Sequence, residues 1–312
     1  MVGEVTIRLG LQIPNFSYGT GVSELFPTVI AQAQEAEAAG FDSVFVMDHF
    51  YQLPGLGTPD QPMLEAYTAL GALATATQNV QLGTLVTGNT YRNPTLLAKA
   101  ITTLDVVSAG RAILGIGTGW FELEHDSLGF EFGTFTERFK KLDEALQIIL
   151  PMLEGKRATF SGTYYRTEEA FAEPRFRDHI PLMIGGSGEK KTIPLAARHF
   201  DHLNIIANFD ELPRKLDVIR QQCEQIDRDP ATLETSMLVI ALIGEHFTAD
   251  AIPPDFQQRA VFGSAEQIAE QLKAKLFDTG VDGVILSPVT MGGYVPGGIT
   301  EVAEALKPLI SG

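Results

Sequence analysis

From residue 8 onward the chain alternates short β-branched runs with longer stretches of helical period, a rhythm that repeated βα units around a parallel sheet satisfy. Eight runs are predicted as strands: Arg8–Ile13, Ser43–Met47, Val80–Thr87, Ala112–Ile116, Leu182–Ile184, Leu203–Ala207, Ser236–Leu242 and Gly283–Leu286. The near-continuous apolar runs Val44-Phe45-Val46-Met47 and Leu203-Asn204-Ile205-Ile206 suit strands buried on both faces, as in a closed barrel. A (β/α)8 TIM barrel takes about 250 residues plus insertions, so the 312 residues are read as one α/β domain spanning 1–312. The stretch from Phe135 to Leu153 places Leu142, Leu146, Ile149 and Leu153 on one helical face, with Glu137, Lys140, Lys141 and Glu144 mostly on the other.

Two segments break the rhythm. Residues Gly155 to Pro181 alternate around Ser161-Gly162, which predicts a hairpin inserted between the fourth helix and the fifth strand. Residues Glu245 to Phe262 carry Pro253-Pro254 after the seventh strand and are expected to be a rim lid or an inert surface loop. A net charge of −16 sets the chain against phosphate backbones and anionic membranes, so neither nucleic acid nor membrane is an expected partner. Met1 to Ile13 contains Glu4 and Arg8 and no long apolar run, which argues against a signal peptide or span and for a cytoplasmic protein. The single cysteine, Cys223, reads as structural.

Barrel chemistry sits at the carboxyl ends of the strands, and four of those ends stand out. After the second run come Asp48-His49-Phe50: a histidine there can shuttle a proton, and a carboxylate can orient it or bind a hydroxyl, although a structural cap uses the same residues. The third ends in Gly83-Thr84-Leu85-Val86-Thr87-Gly88-Asn89, whose glycines permit a bulge, close approach to a flat ligand, or a plain turn. The fourth ends in Gly115-Ile116-Gly117-Thr118-Gly119-Trp120, then Glu122 and Glu124. It lacks the Gly-x-Gly-x-x-Gly spacing and the first-strand position of a Rossmann fingerprint, but leaves room for a cofactor tail. The fifth ends in Gly185-Gly186-Ser187-Gly188 and is expected to lead directly into a helix, a place for a phosphate that Lys190 and Lys191 could reinforce if they are not simply solvated.

Taken in order, these ends resemble the luciferase-like superfamily, particularly its deazaflavin-dependent oxidoreductases. The likeness covers nearly the whole chain. It runs through Ser43 to Phe50, Leu82 to Thr87 with Arg92-Asn93-Pro94, Leu104-Asp105 with Ser108-Ala109-Gly110-Arg111, and Gly115 to His125. The insertion, Pro181 to Gly188, and Ala196-Ala197-Arg198 with Asp201 complete it. The resemblance implies a tricyclic ring at the barrel mouth against a non-proline cis peptide at Leu85-Val86. It implies that Asp48 and His49 contact the ring or its reactive side, His49 as proton donor or orienter. Leu85, Val86, Thr87, Thr118, Gly119 and Glu124 would touch the cofactor, and Gly185, Gly186 and Ser187 its tail phosphate. Coenzyme F420 is preferred to flavin mononucleotide (FMN) on the Asp48-His49 and Trp120-Phe121-Glu122-Leu123-Glu124 patterns. Glucose-6-phosphate dehydrogenases of this type carry a glutamate where this chain has Trp120, which puts that activity in doubt.

The expected reaction is hydride transfer between the coenzyme and a small organic substrate, in a chain that relatives suggest forms a homodimer. An FMN-dependent monooxygenase or a non-catalytic cofactor-binding protein are the alternatives. A Schiff-base aldolase lacks its strand-end lysine, and a metal-dependent hydrolase lacks clustered histidines and carboxylates, so no metal is expected. His199 and His202 flank a strand start and read as structural.

Overall fold

The computed structural model describes residues 7–248, 250, 252, 254–288 and 293–310, with the side chains of 254 and 255 outside the description. Eight parallel strands form the barrel: β1 Arg8–Ile13, β2 Ser43–Val46, β3 Gln81–Thr84, β4 Ala112–Gly117, β5 Leu182–Gly185, β6 His202–Ile205, β7 Glu234–Ile243 and β8 Gly283–Pro288. They pair in sequence order, and β8 closes on β1 with Arg8 opposite Gly283. All eight predicted runs are present, most within one or two residues. The third differs most: β3 ends at Thr84, pairing resumes only at Thr87–Gly88, and the cis peptide Leu85–Val86 lies between.

The period-two pattern of each strand sorts its side chains between two cores. Val44, Val46, Leu82 and Leu114 point outward and join the large core under the helices, whereas Phe45, Ile113, Met183 and Ile285 fill the barrel interior. Each such fully buried side chain contributes on the order of 1.5–3 kcal/mol. Leu85, Val86 and Leu238 pack on that interior plug while staying half-buried, so they form the floor of the barrel mouth.

Helices α1 Val22–Ala39, α2 Ala66–Ala76, α3 Pro94–Val107, α4 Glu122–Leu128, α5 Phe135–Leu153, α6 Thr192–His199, α7 Leu212–Glu224, α8 Pro254–Gln257, α9 Ala265–Lys275 and α10 Gly298–Ile310 flank the sheet. A capping box between Thr134 and Glu137 starts α5 at its predicted first residue. The expected apolar face is buried; Lys141 departs from the expected solvent face, being buried with its ammonium 2.8 Å from Glu131. The insertion is an antiparallel hairpin, Ala158–Ser161 with Arg166–Ala170, held to α5 by Glu144, which accepts from the amides of Thr163, Tyr164 and Tyr165.

The segment after β7 is anchored rather than free. A short strand, Ala260–Gly263, runs parallel to the far end of β7, and Leu242, Phe247, Ile252 and Ala260 form a small core of their own beside Phe256. Residues 249, 251 and 253 of that segment lie outside the description.

At the opposite end of the barrel, Arg8 bonds Glu234 at 2.9 Å and Gln81 at 2.6 Å, and His202 Nε2 meets Ser236 Oγ at 2.7 Å. Burial pushes the His202 imidazole down to about 3, so it stays neutral as part of the scaffold.

Candidate active site

Glu124 organises the carboxyl ends of β2 and β4. It lies in α4, fully buried, and its Oε1 accepts from the amides of Phe50 at 2.5 Å and Tyr51 at 2.8 Å. Its Oε2 accepts from the Tyr91 hydroxyl at 2.5 Å and faces His49 Nδ1 at 2.9 Å. Burial opposes the charge, but the bonds from His49, Tyr91 and Tyr51 outweigh it and hold the carboxyl below the usual range. An ionised carboxylate only accepts, so the His49 proton sits on Nδ1 and leaves Nε2 as the open nitrogen. His49 Nε2 has no partner among the described residues. Trp120 and Phe121 hold the ring edge-on, with centroids 5.7 and 5.8 Å away.

Asp48 points the other way. Its oxygens take Arg92 at 2.6 and 2.8 Å and the Gly88 amide at 3.0 Å, and it is 2% exposed. Burial pushes its carboxyl above the ordinary range, while the guanidinium on both oxygens and the Gly88 amide pull against that. Burial disfavours the Arg92 charge too, yet Asp48 and Glu65 more than compensate, so its pKa is raised and the pair stays ionic. Arg92 is thereby tied across β2, the loop after β3 and the start of α2.

Asp48, Thr87 and Glu124, expected at the cofactor, are held by hydrogen bonds within the protein. Thr87 is fully buried, its hydroxyl bonded to Tyr67 at 2.7 Å and Thr84 at 2.6 Å. Each of the three has its polar atoms committed inside the protein, where they hold the residues that line the mouth.

The glycines after β4 answer to packing. A Cβ at Gly115 would run into the Thr84 carbonyl, and one at Gly117 would come within 2.9 Å of Val86 Cγ2. Gly185 on β5 meets both Val86 methyls at 3.2 and 3.3 Å. These positions are bare because Val86 leans into the space between β4 and β5. Gly119, at φ +77°, alone in this run needs the left-handed region.

Leu85, Val86, Thr118, Gly119, Gly185, Gly186 and Ser187 all keep partial exposure, at or just beyond the ends of the neighbouring strands β3, β4 and β5. The expectation that the glycines of β5 run straight into a helix fails. A turn at Glu189 to Lys191 precedes α6, the Gly186 amide already bonds Asn204 O at 3.0 Å, and the Ser187 hydroxyl bonds Ile206 O at 2.6 Å. Lys191 lies over Phe135 and Phe139, 5.1 and 5.0 Å from their centroids, on the outer flank of α5.

Sequence reasoning missed Tyr91 and Ile206. Tyr91 is a donor to Glu124 with no motif to announce it. Ile206, read as the last apolar residue of a strand, is 45% exposed beyond β6. No group of three or more His, Cys, Asp or Glu side chains able to hold a metal occurs among the described residues. No helix of those residues is long and apolar enough to cross a membrane.

A family model described as luciferase-like monooxygenase matches residues 7–249. The chain is 39% identical over 160 residues to the F420-dependent glucose-6-phosphate dehydrogenase of Microbacterium testaceum, covering 50% of this chain and 46% of that protein. It thus spans about half the length of that relative. It is 30% identical over 273 residues to the F420-dependent hydroxymycolic acid dehydrogenase of Mycobacterium tuberculosis, covering 81% and 74%. Among solved structures, an F420-dependent secondary alcohol dehydrogenase in complex with an F420-acetone adduct matches at a TM-score of 0.82 and 21% identity, over 96% of this chain and 99% of that one; this likeness is one of fold. The chain, by the extent of the family match and of the mycobacterial alignment, belongs to the luciferase-like monooxygenase family.

Proposed function

We propose that this chain is a coenzyme F420-dependent oxidoreductase that moves a hydride between the deazaflavin and a small organic substrate. The observation that carries the reading is the His49–Glu124 pair: an imidazole with a buried anion on Nδ1 and an open Nε2, set beside a half-exposed apolar floor. The floor fits a flat conjugated ring. Leu85 and Val86 offer it an uncharged face, Thr118 and Gly119 border it, and the Gly185-Gly186-Ser187 crest lies next along the rim, where the amides not already bonded could meet a phosphate. The names of relatives at 30–39% identity support the cofactor.

The coenzyme, when bound, supplies the two-electron carrier. The protein's own part is the proton. His49 Nε2 can receive a hydroxyl proton or return it, and Glu124 stabilises the imidazolium while fixing which nitrogen stays open. Such assistance contributes typically 10²–10⁴-fold in rate. Asp48 and Arg92 act one layer back by holding the Gly88 amide and the loop that carries Tyr91. A cytoplasmic setting and a homodimer belong to the same proposal on the strength of the resemblance; sedimentation tests the second.

A fluorescence titration with F420 and, in parallel, with FMN tests the reading. Micromolar F420 binding weakened by His49→Ala or Gly186→Asp is expected. Tight FMN binding alone would move the chain to the monooxygenase alternative, and binding of neither would end the cofactor argument.

A further inference from the structure

We infer that the substrate taken beside His49 is uncharged and largely apolar, and that the surface around His49, as distinct from the Gly185-Gly186-Ser187 crest given to the coenzyme, turns away phosphate esters and carboxylates. The inference rests on the oxidoreductase reading above and names its substrate class.

The loops after the strands decide the matter. Residues 14–21, 47–65, 118–134, 206–211 and 289–297, which follow β1, β2, β4, β6 and β8, contain no lysine or arginine. The other three loops hold four. Arg92 is bonded to both oxygens of Asp48 and to Glu65, with its side chain 10% exposed. Lys191 covers Phe135 and Phe139, and Lys190 lines an outer groove between α5 and α6 with Lys140 and Arg198. Arg259 lies over Phe256 at 5.3 Å, with no ion-pair partner among the described residues and its buried Nε without a hydrogen bond. The loop histidine His246 stacks on Phe247 at 4.1 Å. Arg138 of α5, which reaches the loop after β4, is bonded to the carbonyls of Gly119 and Gly133 and lies over Phe132. Among the described residues no lysine or arginine bonds or stacks against His49, and Glu124 adds a buried negative charge behind it. An anion brought there would lose water without gaining a partner.

What the rim offers instead is hydrocarbon and aromatic surface. Trp120 is 58% exposed against His49, Ile206 is 45% exposed across the mouth, and Leu85, Val86 and Leu238 are half-buried between them. Phe256 reaches from the segment after β7 to Gly55 in the loop after β2, where a Cβ would meet its ring at 3.2 Å, so an aromatic side chain also spans part of the opening. Exposed apolar groups gathered at a concave site are the usual mark of an apolar ligand.

Trp120 is the only tryptophan in the chain, so fluorescence excited selectively at tryptophan, apart from the seven tyrosines, reports on this rim. F420 binding is read first, from the coenzyme's own fluorescence; its absence overturns the cofactor reading, and the ligand titrations then proceed on the free protein. The probes are the secondary alcohols from 2-butanol to 2-octanol, glucose 6-phosphate and inorganic phosphate. Affinity is expected to rise up to about fourfold per added methylene, the factor equivalent to about 0.8 kcal/mol, with no saturable response to either phosphate. In Ile206→Arg the 2-octanol response should weaken at least tenfold and a glucose 6-phosphate response should appear. Glucose 6-phosphate binding to the unmodified protein within tenfold of 2-octanol, or no gain along the alcohol series, overturns the inference.

Discussion

Replacing Glu124 by glutamine separates the two tasks assigned to this carboxylate. The amide oxygen can still accept from Phe50 and Tyr51, which share Oε1. The amide nitrogen then faces His49 and Tyr91, which share Oε2, and must donate to them. His49 can comply by accepting at Nδ1, which moves its proton to Nε2 and closes the nitrogen that should receive the substrate's proton. All four bonds to this carboxylate lose their charge assistance, a loss of roughly 4 kcal/mol in all. For 312 residues, at about 2.1 cal/mol/K each, the unfolding entropy is about 0.66 kcal/mol/K, so Tm should fall by about 6 °C. The rate should fall by 10²–10⁴, the usual worth of a positioned acid or base. The pH dependence gives a further check. The folded pKa of Glu124 is depressed below the ordinary value of 4.5, so its contribution is present above that pH and is lost as pH falls through the folded value. Urea titrations from pH 7 to 3 should show the gap between the native protein and Glu124→Gln closing below about pH 4.5. A gap that stays constant across that range, or His49 carrying its proton on Nδ1 in ¹⁵N spectra of the variant, would refute the reasoning.

The floor and its supports can be tested in the same way. Gly115→Ala should destabilise more than Gly117→Ala, and that more than Gly185→Ala, because the new Cβ meets a fixed carbonyl in the first case and valine methyls in the others. The range is about 1–3 kcal/mol, read by Tm, and an inverted order would show that Val86 is not what keeps these positions bare. Arg92→Ala leaves Asp48 buried without its guanidinium and should cost about 3–5 kcal/mol, part of which Asp48→Asn recovers in the double variant; additive losses would argue against the pair. Burial pushes the His202 pKa down to about 3 from the ordinary 6.5, so neutral His202 favours the fold above pH 6.5, and that contribution falls away toward pH 3. Its ring-proton resonance should stay flat from pH 7 to 4.5, and a titration near 6.5 would contradict its burial.

The barrel was legible because strand and helix periods are local, and β-branched runs such as Val44-Phe45-Val46 carry their own signal. Period alone continued the third strand to Thr87; the break at Leu85-Val86 was signalled only by the glycines of 83–89, which permit a bulge, and by the resemblance, which implied the cis peptide found there. The pairing of Asp48 with Arg92 was hidden for a different reason. The two residues are separated by 44 positions, and only the fold reveals that a residue beside a catalytic candidate points away from it. Glycine gave the most misleading signal. Gly-x-Gly-x-Gly at 115–119 matches a nucleotide loop in spelling, yet Gly115 and Gly117 are small because Val86 and Thr84 stand opposite them.

Much of the resemblance is likewise scaffold. Ser108-Ala109-Gly110-Arg111 turns at the far end of the barrel, where Ala109 and Gly110 take positive φ and Arg111 bonds the carbonyls of Ala74, Thr77, Val80 and Ser108. Asp105 closes the same corner, accepting from the Ala112 amide and from Arg177. Such residues fix the family through folding requirements that any substrate would share. The residues proposed to meet a substrate lie at the opposite end: Trp120 beside His49 and Ile206 exposed beyond β6. A 39% identity over 160 residues can therefore coexist with a different substrate. Exchanging the 118–134 loop for that of the glucose-6-phosphate dehydrogenase should leave Tm within a few degrees while changing which ligands perturb the rim. Global unfolding of that chimera would show instead that the rim and the scaffold are not separable, because Glu124 bonds across both.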